Sequence, residues 1–501
     1  MSDPSRDEDS TGADGAKAEA VYRRRALIGG LALGARTALS QLVVLGGTIV
    51  LARRLSPSDF GAFAIIQFAL SFLTVFGDAG LGGALVQKKA EPTRAELSSV
   101  FWVQLTLAAI VLVVAGVGAE ALSHVWKDLP KSAPWILRAL AINFAFVSVR
   151  AVPMILMERE LLFVRLAAID MVNSVSFYLV ASTLAVMGFG IWSLVAGVLT
   201  QGVLGAVLAF AMRPAFPSLT FDRVAVRTLL RFGVPHQLKF VVGFAGGATT
   251  PLLCGALLGT EAVGLIQWAQ QTGFFPMRLV EIVSRVSFPL YSRLQDDRPA
   301  LTRQIDRSVA ICTAGACLFA AIILGLGPAV TTIIYSAKWL SALPLLYLYA
   351  GSITLGIFVP LVGPALDALG KPKIVLALSV GSTVAAWAIA APLAWLHGPT
   401  GFVAGLVGLM VLGNFVMAWI VRRELPTLRV FRPFLTPLLP TAGVAWLART
   451  YALPYVTGPA SLTLAVLASI VVFAAGLFAI DRELLSDVRV LAKKKPRESA
   501  T

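Results

Sequence analysis

Charged and amide side chains recur inside stretches of this chain that are otherwise apolar. Arg36, Arg150, Lys239 and Arg278 stand with Asp78 and Glu281, and with Gln67, Asn143, Gln267, Gln270 and Gln271, among runs of Leu, Val, Ala, Gly and Phe. An ionised side chain at mid-bilayer costs about 2.5–3.5 kcal/mol on insertion scales, so such residues are expected to face a wet cavity or a partner. Depth separates them. Arg36 and Arg278 each lie about ten residues from the end of a span, roughly 15 Å in, beyond easy escape to a surface. Arg150 and Lys239 sit about 9 Å from an edge. Arg138 and Arg285 are close enough to an interface to snorkel. Basic groups outnumber acidic ones in this set. A cavity lined by guanidinium groups suits an anion, phosphate in particular, because Arg offers forked donors and a permanent charge.

Spacing arranges these groups. Gln267, Gln271, Arg278, Glu281 and Arg285 fall three, four or seven apart and form one helical stripe, with Gln270 beside it. Glu281 can pair with Arg278 and Arg285 along the helix. The stripe could tie helices together or form the wall of a central cavity; the rule for intramembrane ionisable groups favours the wall. Gln67 and Asp78 share a helix face, as do Asn143 and Arg150. Asp170 enters its span within a turn of one surface, and Asp367 and Lys371 belong to a loop. His236, one turn before Lys239, is expected to pack or cap rather than relay protons. Cys254, Cys312 and Cys317 all lie in apolar segments and read as packing residues, with neither a disulfide nor a metal pair expected. Asp78 and Glu281 are the carboxylates available to carry a coupling proton or sodium ion; no cofactor is called for. The loops opposite the basic ones offer Glu120, His124, Asp128 and Glu261 without a catalytic constellation, so an enzyme such as a glycan polymerase or ligase is not expected.

These residues must be positioned by membrane helices. The 501-residue chain is 57% hydrophobic and 14% charged, with mean hydropathy +0.81. Fourteen apolar spans are predicted, at 26–52, 60–82, 99–121, 134–156, 166–187, 190–212, 233–258, 263–288, 309–334, 343–366, 374–395, 400–421, 434–452 and 459–480. Each is about the ~20 residues a helix needs to cross a ~30 Å hydrocarbon core. Most Lys and Arg fall in loops and tails on one side, among them Arg23–Arg25, Arg223, Arg227, Arg303, Arg307, Arg429, Arg432 and Lys493–Lys495. Arg53, Arg54, Lys127, Lys131, Lys338 and Arg449 fall on the other. By the positive-inside rule both termini are cytoplasmic. That distribution explains the net charge of +15 better than nucleic-acid binding does. Residues 1–21 read as a disordered acidic tail. The first apolar stretch is too long for a signal peptide and is expected to be retained.

Shifting the chain by 203 positions places Arg36 on Lys239, Leu55 on Leu258, Gly61 on Gly264, Gln67 on Gln270, Phe72 on Phe275 and Asp78 on Glu281. An interval of six spans keeps the two repeats parallel, related by an axis along the membrane normal. The expected fold is all-α: a polytopic membrane protein of about 14 transmembrane helices, with two parallel six-helix lobes plus two C-terminal helices. Its parts are an N-lobe at 22–212, a cytoplasmic amphipathic linker at 213–232, a C-lobe at 233–421, the last two spans at 422–482 and a basic tail at 483–501. Within the linker, Val224, Leu229 and Phe232 alternate with Arg223, Arg227 and Arg231, as on a short helix lying at the membrane surface.

LARRLSPSDFG (Leu51–Gly61), followed by FGDAGLGGALVQ (Phe76–Gln87) and echoed at Leu257–Gly264, resembles the signature of bacterial polysaccharide-repeat-unit flippases. These are the Wzx-type, polysaccharide-transport family of the multidrug/oligosaccharidyl-lipid/polysaccharide exporter superfamily. The resemblance runs to about residue 425. It implies an inner-membrane transporter that moves undecaprenyl-pyrophosphate-linked oligosaccharide to the periplasmic leaflet by alternating access, for lipopolysaccharide or exopolysaccharide synthesis. It further implies work beside a polysaccharide polymerase. On that basis Arg36, Lys239 and Arg278 are expected at the pyrophosphate, Gln67, Asn143, Gln267, Gln270 and Gln271 at sugar hydroxyls, and Arg150 also among the substrate-binding residues. The alternative within the superfamily is a multidrug/organic-cation antiporter, against which the basic excess argues.

Overall fold

The structure, a computed structural model, describes residues 42–480 apart from positions 79, 80, 89, 127 and 430. Arg36 lies outside the described residues, as do the side chains of Asp78, Lys239 and Arg285. Among the described residues the chain is helical without strands.

Local chemistry sets the helix ends. α1 (Leu42–Arg54) and α2 (Pro57–Asp78) meet at a 117° bend. The bend is fixed by the SPSD turn. Asp59 Oδ2 accepts from the Ser56 amide (3.0 Å) and hydroxyl (2.7 Å), the Asp59 amide donates back to Ser56 Oγ (3.1 Å), and Pro57 opens the helix. α3 (Leu81–Gln87) follows. α4 (Arg94–Gly118) starts with a capping box: the Glu96 amide donates to Thr93 Oγ1 (3.2 Å) and the Thr93 amide to Glu96 Oε2 (2.9 Å). α5 (Ala133–Arg159), α6 (Phe163–Val186) and α7 (Trp192–Met212) complete the first half.

Residues 218–222 are fastened to the start of α4. The Ser218 amide donates to Ser98 Oγ (2.8 Å), Trp102 Nε1 to the Ser218 carbonyl (2.9 Å) and the Asp222 amide to Ser99 Oγ (2.7 Å). Asp222 then caps α8 (Arg223–Gly247). The amphipathic stretch is thus the first part of one continuous helix rather than a separate short one. Asp222 supplies the start signal, and the helix runs on through Gly233 and Pro235 to Gly247. Ala225, Val226 and Leu229 are buried, whereas Val224 is 77% exposed, so the buried face is not centred where the arginine pattern alone placed it.

The second half holds α9 (Gly255–Gly273), α10 (Met277–Arg293), α11 (Arg298–Ala329), α12 (Leu343–Gly356), α13 (Phe358–Ala368), α14 (Pro372–Glu424), α15 (Arg432–Leu447) and α16 (Pro459–Ile480). Spans eleven and twelve are the two arms of α14, which reverses at Gly398 (φ 60°), a left-handed conformation that glycine tolerates. Gly259 (φ 85°) breaks α9 in the same way between spans seven and eight. At the α12–α13 break Asn414 Oδ1 accepts the Val359 amide (3.0 Å), satisfying a donor that hydrocarbon could not. Among the described residues nine helices are long and apolar enough to cross a bilayer, or up to ten when the bent α1–α2 pair is included as a single span. Their outer faces expose large apolar side chains such as Val117 (81%), Trp395 (81%) and Leu439 (72%), the surface of a protein solvated by lipid.

Candidate functional site: a cleft between the two halves

A cleft of ≈ 370 Å³ lies between the halves. Gln67 and Ser71 of α2 line one wall, and Gln267 and Gln271 of α9 the other. Tyr178 of α6 and Pro251, in the wide turn Thr249–Cys254 after α8, close the sides. Gln67 and Gln271 are exposed into this space and Gln267 is half-buried. The volume is at the small end of the roughly 300–1,000 Å³ usual for ligand pockets.

Contacts between the halves lie on either side of the cleft. Toward the end that carries Arg53 and Lys338, α2 crosses α9 at Gly61 and Gly264. A Cβ on Gly61 would overlap the Thr260 carbonyl and lie 2.8 Å from the Gly264 amide nitrogen; one on Gly264 would overlap the Pro57 carbonyl and lie 3.1 Å from the Gly61 nitrogen. Small residues let helix backbones touch in a membrane. Around this crossing the closure is built from aromatic rings and cross-half hydrogen bonds. Trp339 stacks on Trp268 (5.0 Å) and meets Phe60 edge-on (5.5 Å), while its Nε1 donates to the Ala52 carbonyl (2.8 Å). Trp126 Nε1 donates to the Pro251 carbonyl (3.1 Å), Arg53 Nε to that of Ile334 (2.8 Å) and Lys338 Nζ to that of Arg53 (2.9 Å). Toward the end that carries the basic loops, Phe244 of α8 stacks on Phe68 (4.9 Å) and tilts against Phe72 (6.1 Å) of α2.

The structure brings together Gln67, Gln267 and Gln271 but not the other sequence-predicted residues it describes. Gln270 is half-buried and does not line the cleft, because it sits about 100° around the helix from Gln271. Arg278 and Glu281 are exposed on α10, beyond the break at Phe274–Pro276, and are not among the cleft's lining residues. Asn143 and Arg150 lie elsewhere, inside the packing of α5, α6 and α7. Arg150 Nη1, Asn143 Oδ1 and Asn173 Oδ1 are all buried there without a hydrogen bond. Gly202 and Gly205 make the room: a Cβ on Gly202 would collide with Asn143 Oδ1, and one on Gly205 with Arg150 Nη1, 2.9 Å from Asn173 Oδ1. Asn173 was missed from sequence, although an amide within an apolar span is the same signal that marked Asn143. Arg138 behaves as an interfacial anchor, donating to the Gly116 carbonyl (3.1 Å) and Glu120 (3.0 Å) over the Trp135 ring. Tyr178 and Phe244 carry no charge and gave no sequence signal.

The fold is that of known transporters. The chain superposes on the structure titled "Lipid II flippase MurJ, inward closed conformation" with a TM-score of 0.74 at 14% identity, covering 90% of this chain and 99% of that one; the likeness is one of fold. The succinoglycan biosynthesis transport protein ExoT of Rhizobium meliloti (strain 1021) is 28% identical over 316 residues, 62% of this chain and 62% of its own length. The match therefore spans less than two thirds of that relative. The teichuronic acid biosynthesis protein TuaB of Bacillus subtilis (strain 168) is 23% identical over 389 residues, 75% of this chain and 78% of its own. Residues 50–344, more than half of the chain, match the family described as "Polysaccharide biosynthesis protein", and the chain belongs to that family.

Proposed function

We propose that the protein carries undecaprenyl-pyrophosphate-linked oligosaccharide units across the bacterial inner membrane, from the cytoplasmic to the periplasmic leaflet, for surface polysaccharide synthesis. One observation carries this reading: an amide-lined cleft between the two halves, flanked on either side by contacts between them. Family membership and relatives named for polysaccharide transport and biosynthesis support the choice of cargo.

On this reading both termini are cytoplasmic, so the basic loops and Phe244 face the cytoplasm and the Gly61–Gly264 crossing faces the periplasm. Separation of Phe244 from Phe68 and Phe72 admits the headgroup. Gln67, Gln267 and Gln271 exchange hydrogen bonds with sugar hydroxyls in place of water, while the polyprenyl tail stays in lipid. Arg36, Lys239 and Arg278 supply cationic charge for the pyrophosphate along the entry route, which fits the forked donors of guanidinium. Parting of Gly61 from Gly264 then releases the cargo outward. Asp78 or Glu281 carries the coupling proton or sodium ion, and a polysaccharide polymerase receives the product. The described cleft wall offers neutral amides rather than carboxylates, which suits a glycan better than an organic cation.

The test is complementation of a strain lacking the gene. The wild-type chain restores surface polysaccharide, and its loss leaves lipid-linked oligosaccharide accumulating in the cytoplasmic leaflet. Normal polysaccharide without the gene, coupled to gained sensitivity to cationic dyes, would replace this reading with drug efflux.

A further inference from the structure

A second cavity, of ≈ 500 Å³, opens in the first half, where the start of α4, the end of α5 and the loop after α7 come together. Leu97, Phe101, Val152 and Leu156 supply its apolar lining, and Glu91, Arg94, Arg159, Glu160 and Arg213 bring charge to it.

Arg159, Glu160 and Arg213 are already engaged. Arg213 donates to Glu160 Oε1 through both Nε (2.9 Å) and Nη2 (2.7 Å). Arg159 donates through Nη1 to the carbonyls of Leu85 and Lys88 (2.7 Å) and through Nη2 to that of Ala90 (3.0 Å), so its charge is set against the C-terminal end of α3. Glu91 and Arg94 differ. Both are exposed, three residues apart around the start of α4, and neither has a hydrogen-bond or ion-pair partner among the described residues. The cavity therefore keeps one uncommitted carboxylate and one uncommitted guanidinium. An anion alone would leave Glu91 opposed to it, and a cation alone Arg94. A zwitterion satisfies both.

The rim of the cavity shows what such a group is attached to. Phe216 lines the cavity and is 73% exposed, and Leu219, three residues on, is 92% exposed. Directly after Glu160, Leu161, Phe163 and Val164 are exposed as well. Large apolar side chains clustered on loops and a helix start are unfavourable in water. They suit the interfacial layer, where head groups meet acyl chains. The cavity thus opens at head-group depth, in the leaflet on the side of the basic loops. There a phospholipid phosphate faces Arg94, which offers it forked donors, and a lipid amine faces Glu91. A primary ammonium has three N–H donors for a carboxylate, whereas a quaternary ammonium has none.

We infer that this cavity binds the head group of a zwitterionic phospholipid with a primary amine, of the phosphatidylethanolamine class. The site is separate from the central cleft, and its chemistry is the same whether or not the chain transports glycan.

The test uses the purified full-length chain in a neutral maltoside detergent, with thermal stability as the readout. The probes are dioctanoyl phosphatidylethanolamine, phosphatidylcholine and phosphatidylglycerol, together with O-phosphoethanolamine, the head group without its tails. Phosphatidylethanolamine is expected to raise Tm saturably, at a half-saturating concentration about fivefold below that of phosphatidylcholine, the contribution of one exposed charge pair. Glu91→Gln removes this preference by weakening phosphatidylethanolamine alone. Arg94→Gln weakens both lipids alike, because both carry the phosphate. Each variant keeps the wild-type Tm without lipid, since neither side chain has a partner to lose. Arg223→Gln, an exposed arginine outside the cavity, changes neither lipid's response. An absent or unsaturable phosphatidylethanolamine shift, an equal response to phosphatidylcholine in the wild type, or a preference that survives Glu91→Gln overturns the assignment. A stronger response to phosphatidylglycerol would make the cavity an anionic-lipid site. A response to O-phosphoethanolamine at the same concentration as to phosphatidylethanolamine would make it a site for a soluble zwitterion. Either of these also overturns it.

Discussion

Gly61 and Gly264 meet across the boundary between the two halves, each filling the place where the other's helix would otherwise carry a side chain. A Cβ on Gly61 would lie 2.7 Å from the Thr260 carbonyl carbon, and one on Gly264 2.7 Å from the Pro57 carbonyl carbon. The same offset of 203 positions takes Pro57 to Thr260 and Gly61 to Gly264. The contact is therefore reciprocal, as two like helices crossing on a local two-fold axis require. The obstacle in each case is backbone, which cannot swing aside as a side chain can.

Gly61→Ala and Gly264→Ala should each weaken the closed crossing by about 1–3 kcal/mol, the usual effect of overpacking. The measurement is labelling of Ser71→Cys, in the cleft, by a membrane-impermeant maleimide added from the periplasmic side. Labelling is expected to rise in both variants. Gly82→Ala is the control, since its Cβ would meet Ile155 Cδ1 at an ordinary 3.5 Å. Equal labelling in all three would mean that the crossing does not act as a gate.

Phe244→Ala removes the rings' shared contact at the other end. It should raise labelling of the same cysteine from the cytoplasmic side, in inverted vesicles, without raising it from the periplasmic side. A change on both sides would indicate general loosening rather than one gate.

The cleft amides and the Arg150 cluster should respond differently. Q67L/Q271L removes two hydrogen-bonding groups worth about 1 kcal/mol each, so export should fall roughly 30-fold with normal expression. Arg150→Met changes a guanidinium packed among α5, α6 and α7. Replacing a buried charge with an apolar side chain of similar size is often neutral or stabilising, so export should stay within about twofold. If Arg150→Met abolishes export at wild-type protein levels, Arg150 takes part in transport.

Arg36→Ala and Arg278→Ala should each abolish export while leaving protein in the membrane, as measured by surface polysaccharide and immunoblot. Normal glycan in both variants would remove the guanidinium route for pyrophosphate.

Trp339 is fully buried, stacks on Trp268 within the second half and joins the halves through Phe60 and the Ala52 carbonyl. Trp339→Ala should cost about 3–5 kcal/mol, and Trp339→Phe less, because the phenyl ring keeps most of the packing. Thermal unfolding in detergent decides it; equal Tm values for the two variants would contradict a packing role.

Much of the fold was legible because hydrophobicity acts on short segments. The predicted gap between spans at 395 and 400 falls on Gly398, where α14 reverses, and the SPSD turn fixes the entry to α2. The boundary before span seven was not legible. Nothing in Phe221–Phe232 distinguishes a surface helix from the first turns of a longer one, and α8 runs through it. Gln267 and Gln271 stand four apart and so share a face, and both line the cleft opposite Gln67. Gln270 was not separable from them, since which face turns inward depends on the neighbour.

Composition and spacing alone determined that this chain is a helical membrane protein built of many apolar spans. Transfer of a segment into lipid depends on that segment's own side chains, so the sequence suffices. Only the tertiary structure decided that Gly61 lies against Gly264, that Gln67 faces Gln267 and Gln271 across a cleft, and that Arg150 is held with Asn143 and Asn173 inside one half. Lipid is as apolar as the side chains that face it, so the rotation of each helix about its axis is set by close packing and by the few polar contacts it can make with other helices.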